Sequence, residues 1–291
     1  MFQRVMVAVV GIPFLLVVLL LLPEWAPAIL VTAMCAMGAH ELLHAVGVKN
    51  KALRWTGVLA AALVPVDIYA EAISGSIYET ADGGFLASGM GGSLLPLLAL
   101  AFVFVLFALA IGNYGKPTAI PFGHLTMTLF AGLVFPSMLG CLLRLRLVYE
   151  LGPALVFVPL CISFGSDTFA LFAGMLFGKH KLAPHVSPKK TVEGGIGGIV
   201  GGVFGMALMW AIIHWTIGYD LCTWWEAVIL GVVGSIISQM GDLSFSVIKR
   251  EFGVKDYGKL LPGHGGILDR FDSVTFVSPC VWLLLTMWIL R

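Results

Sequence analysis

The residues best suited to chemistry lie in the last third of the chain. Asp242, Ser246 and Lys249 stand at i, i+4 and i+7, which puts an acid, a hydroxyl and an amine on one helical face. Such a stripe can hold a metal ion and a phosphate oxygen side by side. The run from Glu251 to Asp272 follows, rich in glycine and carrying both charges: Lys255, Asp256, Lys259, His264, Gly265, Gly266, Asp269, Arg270 and Asp272. Glycines let backbone N–H groups close around an anion as a nest, and Lys255, Lys259, His264 and Arg270 can neutralise a polyphosphate. Carboxylates together with phosphate oxygens are the expected ligands of Mg2+. A plain solvated connector needs none of this mixture.

A second polar segment, residues 178–194, holds four lysines, Ser187, Thr191 and Glu193 around proline turns. Lysines beside a membrane also serve topology and anionic lipids, so this segment gains meaning only beside the first, as the other wall of one pocket. Asp167 lies within an apolar run after Gly165 and Ser166. A carboxylate in the bilayer centre costs about 2.5–3.5 kcal/mol on insertion scales, and such residues generally face a polar cavity.

A competing motif is His40-Glu41-Leu42-Leu43-His44, an HExxH run. In zinc proteases the two histidines bind the metal and the glutamate activates water. Five-residue matches recur by chance, and no second motif supplies a third ligand. The expected role is a membrane-end cluster in which Glu41 bonds polar groups, or a lining of the pocket mouth.

Membrane helices must position these residues. The chain is 59% hydrophobic and 11% charged over 291 residues, with a mean hydropathy of +0.99. A soluble domain carries about 25% charged residues, so lipid must be the solvent for most of this chain. Nothing resembles a nucleic-acid surface, since there is neither a basic tail nor aromatic-basic interleaving. The five cysteines form no CxxC pair and read as small buried hydrophobes.

Spans need about 20 apolar residues. Nine stretches qualify, at roughly 5–22, 25–43, 54–70, 93–112, 121–142, 151–177, 195–217, 225–248 and 272–290. The third is the weakest because of Asp67, and the first reads as a retained helix rather than a cleaved leader. Under this alternation all but three of the 17 basic residues (Arg144, Arg146 and Arg291) fall on one side, which places the N-terminus in the cytoplasm. The glycines from Gly194 to Gly202 open the seventh span and let helix backbones approach closely. The expected class is an all-α integral membrane protein of about nine helices. Residues 1–142 supply about five spans. Residues 143–291 supply a catalytic region of about four spans, with polar loops 178–194 and 249–271. The loop at 71–92 and the segment 113–124 suggest no function.

The stretch Ser246-x-x-Lys249-Arg250-x4-Lys255-Asp256-x5-Pro262-x-His264-Gly265-Gly266-x-x-Asp269-Arg270-x-Asp272 resembles the signature of the phosphatidate cytidylyltransferases, also called CDP-diacylglycerol synthases. The upstream stretch Asp167-x6-Gly174-x3-Gly178-Lys179, with Ser187-Pro188-x-Lys190-Thr191-x-Glu193-Gly194, resembles the same family's second block. The likeness is close over about residues 150–291, and the N-terminal half matches only as hydrophobic spans. It implies condensation of CTP with phosphatidate to give CDP-diacylglycerol and pyrophosphate, in a bacterial-type inner membrane, by a multi-pass homodimer with its site on the cytoplasmic side. It implies Mg2+ on Asp242 and Asp269, and allows K+ beside it. Catalytic roles map to Asp242, Ser246, Lys249, Arg250, Asp269 and Asp272. Substrate-binding roles map to Asp167, Ser187, Lys190, Thr191, Glu193, Lys255, Asp256, His264, Gly265, Gly266 and Arg270.

The residue types suit that reaction. The nucleophile is a lipid phosphate oxygen, already ionised, so the task is positioning and charge dispersal rather than proton abstraction. Three alternatives stand beside it: a CTP-dependent enzyme for another lipid such as an isoprenoid ether lipid or polyprenol, an HExxH zinc membrane protease, and a transporter. A transporter has no use for a long Gly-His-Gly-Gly loop.

Overall fold

The structure is a computed structural model of the chain, and it describes residues 9, 11, 13–74, 93–148, 151–218, 221–258 and 265–289. Among these, eight helices are long and apolar enough to cross a membrane. They are α1 (Trp25–Ala45), α2 (Lys51–Ile73), α3 (Leu95–Asn113), α4 (Phe122–Arg146), α5 (Gly152–Phe177), α6 (Val192–Ile217), α7 (Trp224–Glu251) and α8 (Leu268–Ile289). They match the second to ninth expected spans. Of the expected first span, 5–22, residues 5–8, 10 and 12 lie outside the described residues; residues 9, 11 and 13–16 are helical and lead into a π-helical turn at Val17–Leu21. The chain is therefore an all-α, multi-pass membrane protein. A two-stranded antiparallel hairpin, β1 (Lys181–Ala183) with β2 (Ser187–Thr191), is added in the 178–194 segment. Of the 71–92 loop, residues 75–92 lie outside the described residues.

The chain forms two compact units, residues 1–147 with 252–270, and residues 148–251 with 271–291. In the first, α1, α2 and α4 pack around fully buried Leu42, Leu43, Leu53, Ile68, Leu139 and Leu143. Helix α3 carries no charge and buries only Phe102 and Leu106, leaving Leu97, Leu100, Phe104 and Phe107 on the outside. Lipid is the solvent such a face requires.

Asp67 weakened the third span in the sequence, yet α2 runs through it to Ile73. The reason is a partner far along the chain. Asp67 Oδ2 accepts from Ser93 Oγ at 2.8 Å and Oδ1 from Leu94 N at 2.9 Å, at the start of α3. Orphan N–H groups at that helix start gain a charged acceptor, and the buried carboxylate is satisfied. Nearby in sequence, Glu71 pairs with Arg144 at 3.2 Å. Arg146, 6% exposed, donates to the Leu19 and Leu22 carbonyls at 2.7 and 3.2 Å, serving acceptors that the end of a helix leaves open.

In the second unit α5 and α6 approach backbone to backbone. A Cβ on Gly201 would collide with the Gly165 carbonyl oxygen, and one on Gly205 with that of Cys161. Only glycine allows this approach, which is the packing expected of small residues in lipid. Helix α7 joins through Gly231 against Val203 and through a 2.8 Å hydroxyl pair between Ser166 and Ser235. Gly241 of α7 lies against Phe276 and the Asp272 carbonyl of α8.

Candidate active site

In the second unit, three elements bring chemistry to one cavity of about 480 Å3. Helix α5 supplies Asp167, the hairpin supplies Lys189, Lys190 and Thr191, and α7 supplies Gln239 and Asp242. The hairpin is fixed at both ends. Thr191 caps α6, its Oγ1 accepting from Gly194 N at 3.1 Å. Glu193 gathers the opposite turn, accepting from the Lys179 and His180 amides at 3.1 and 3.2 Å and meeting His180 Nδ1 at 2.6 Å. From α7, Arg250 Nε donates to the Val186 carbonyl at 3.1 Å. This scaffold carries Lys190 to Asp242, where Nζ and Oδ2 lie 2.5 Å apart.

The helical stripe of the sequence is present in α7. Ser246 Oγ makes a long 3.4 Å hydrogen bond to Asp242 Oδ1, one turn away. Asp272, near the start of α8 and almost buried, accepts from Ser273 N at 2.8 Å and interacts electrostatically with Asp242, Lys249 and Asp167. Ser187 opens β2, opposite Ala183. The second polar segment and α7 thus share one cavity, whereas the sequence sets that segment against the whole run from Ser246 to Asp272, whose residues 255–258 line a different cavity. Gln239 was missed, although it precedes Asp242 by three residues on the same face. Its amide donates to the Gly195 carbonyl at 3.1 Å and to Ser235 Oγ at 3.3 Å, bracing the cavity floor.

In the first unit, Lys255, Asp256, Tyr257 and Gly258 line a cavity of about 1170 Å3 together with His40, Glu41, His44 and Trp55. His40 stacks toward His44 with centroids 6.3 Å apart, and Trp55 is tilted 6.0 Å from His40. Asp269 organises the end of this loop. Its Oδ2 accepts from Tyr257 N at 2.9 Å and from Gly266 N at 3.0 Å. Gly265 has φ +89, a backbone conformation suited to glycine, and a Cβ there would stand 3.0 Å from Asp269 Oδ2. Two described amides of this glycine-rich run, those of Tyr257 and Gly266, are thus given to a carboxylate of the same chain, where the sequence leads one to expect a phosphate. Arg270 follows on the exposed side of α8. His264 lies outside the described residues.

Glu41 hydrogen-bonds to backbone amides, as the non-catalytic reading of its motif expected. Among the described residues no three His, Cys, Asp or Glu side chains gather as a metal-holding group. Mg2+ makes a smaller demand: one or two carboxylates suffice when substrate phosphates and water complete its shell. Asp242, with Asp167 beside the same cavity, is an oxygen donor of the required kind. Asp269 can accept two N–H groups and still ligate a cation, because an ionised carboxylate has about four lone-pair sites.

Residues 2–288 match the Cytidylyltransferase family. Proteins named phosphatidate cytidylyltransferase from Staphylococcus saprophyticus and Staphylococcus epidermidis are each 47% identical to this chain, over 110 and 112 residues. One from Staphylococcus haemolyticus is 46% identical over 110 residues. Each alignment covers 38% of this chain and 40% of the relative's own length. With nearly the whole length matched, the chain belongs to the Cytidylyltransferase family.

Proposed function

We propose that the chain is a phosphatidate cytidylyltransferase, forming CDP-diacylglycerol and pyrophosphate from CTP and phosphatidate. The observation that carries this reading is the cavity where Asp167, Lys190 and Asp242 meet, acids and a base without a thiol or serine nucleophile. The family match and the relatives' names support it. An ionised phosphatidate oxygen attacks the α-phosphorus of CTP, the bond to the β-phosphate oxygen breaks, and pyrophosphate leaves with the electron pair. Lys190, Lys249 and Arg250 carry the positive charge that offsets the gathering anions. Lys255, His264 and Arg270 serve the same end from the glycine-rich loop. Ser246 holds Asp242, and Asp272 completes the acidic wall.

Mg2+ is assigned to Asp242 and Asp269, with K+ as a companion, on donor chemistry and resemblance. Bound there, it would neutralise phosphate charge and stabilise the departing pyrophosphate. The bilayer supplies the lipid substrate, the protein works as a homodimer in a bacterial-type inner membrane, and the N-terminus and site face the cytoplasm. The loop distribution of lysine and arginine supports that orientation.

The test is a competition in mixed micelles. Purified protein with CTP and Mg2+ receives phosphatidate, an isoprenoid ether lipid phosphate or a polyprenol. The reading expects a CDP-lipid from phosphatidate in clear preference; preference for either of the others would reassign the substrate.

A further inference from the structure

The proposed reaction makes no use of the His40–His44 run. Its central residue nevertheless has a defined task in the first unit. Glu41 is 8% exposed. Its Oε1 accepts from Ile267 N at 3.2 Å and its Oε2 from Leu268 N at 3.0 Å. These amides lie at the start of α8, where N–H groups lack partners within the helix and an anion also meets the positive end of the helix dipole.

The neighbouring backbone is shaped to the carboxylate. A Cβ on Gly258 would collide with Glu41 Oε1, and a Cβ on Gly266 with Oε2. Asp269 makes a second tie from within the segment, holding the Tyr257 and Gly266 amides. One carboxylate from α1 and one from α8 thus pin residues 257–258 and 265–268 between them. Lys255 and Asp256 immediately precede that clamp, and Arg270 immediately follows it.

The geometry points to Glu41 as a positioning residue. Without touching substrate, it fixes the segments that carry Lys255, Asp256, Asp269 and Arg270, and turnover depends on it through them. This rests on the cytidylyl-transfer reading for its kinetic consequence, though not for the clamp itself. Glu41→Gln keeps the volume but turns an NH2 donor toward an N–H donor. Gly258→Ala displaces the carboxylate while leaving its charge. Glu41→Asp keeps both acceptors, one methylene short.

The experiment follows amide hydrogen exchange over residues 265–270 and steady-state kinetics in the full-length detergent-purified protein. Glu41→Gln and Gly258→Ala are expected to speed exchange about tenfold. They are expected to lower kcat about tenfold or more at near-normal yield and Tm, with partial recovery in Glu41→Asp. Unchanged exchange in both variants would overturn the clamp. Faster exchange with normal kcat, or lost Tm with normal kcat per folded molecule, would overturn the positioning role. Should Glu41→Gln fail to fold, Gly258→Ala carries the same comparison. A wild-type protein that forms no CDP-lipid would refute the transfer reading, and exchange would still judge the clamp.

Discussion

Lys190 and Asp242 form an ion pair with Nζ and Oδ2 2.5 Å apart, although one belongs to the β2 strand and the other to the membrane helix α7. Their side chains are 26% and 28% exposed, so the pair stands at a cavity wall rather than in open solvent. It places a fixed cation beside a carboxylate where phosphates are proposed to bind.

Lys190→Met should therefore lower turnover about 100-fold, the scale on which one fixed electrostatic group acts in a transition state. The protein should stay folded, because a partly exposed ion pair contributes little to stability. CDP-lipid formation at saturating CTP, with Tm measured in parallel, checks this. Normal turnover would reduce the pair to a surface contact.

Asp242→Asn and Asp269→Asn should each nearly abolish turnover in folded protein, but they should differ in stability. Asp269 holds the Tyr257 and Gly266 amides. Its substitution should cost about 1–3 kcal/mol as those bonds weaken, whereas Asp242→Asn should leave Tm close to normal. Near-normal activity in either variant would refute the Mg2+ assignment.

Gly205→Leu should disrupt the α5–α6 contact, since the new side chain meets the Cys161 backbone. Overpacking of this kind costs about 1–3 kcal/mol or more, and backbone cannot move aside as a side chain can. Thermal denaturation in detergent with size-exclusion profiles measures the effect. A monodisperse variant with unchanged Tm would contradict the close approach of these helices.

Purified protein should hold no stoichiometric zinc, and His40→Ala should retain most of its turnover. Metal analysis beside the kinetic assay decides this. Stoichiometric zinc, with activity lost in His40→Ala, would revive the protease reading.

The spans were legible because lipid demands long apolar runs, and the Asp242–Ser246–Lys249 stripe because helical spacing is local. What escaped were long-range partners. Asp67 looked like a blemish in a weak span until Ser93 and Leu94 supplied its hydrogen bonds. Glu41 was expected to bond polar groups, but its donors, Ile267 and Leu268, could not be named because they lie at the opposite end of the chain. Gln239 carried no charge to draw attention, and its bracing role depends on Gly195 of another helix. The hairpin at 181–191 was hidden by prolines and lysines that read as a loop; its short strands persist because Thr191 and Glu193 anchor them to α6. Resemblance gave Asp167 and Lys190 substrate-binding roles and paired Asp242 with Asp269; folding brings Asp167, Lys190 and Asp242 to one cavity.

The most direct measurement gives the purified protein phosphatidate and Mg2+ with CTP labelled at the α-phosphate or, separately, at the γ-phosphate. Cytidylyl transfer predicts that α-label enters the lipid as CDP-diacylglycerol while γ-label leaves as pyrophosphate. Transfer of γ-label to a lipid, with CDP released, would contradict it.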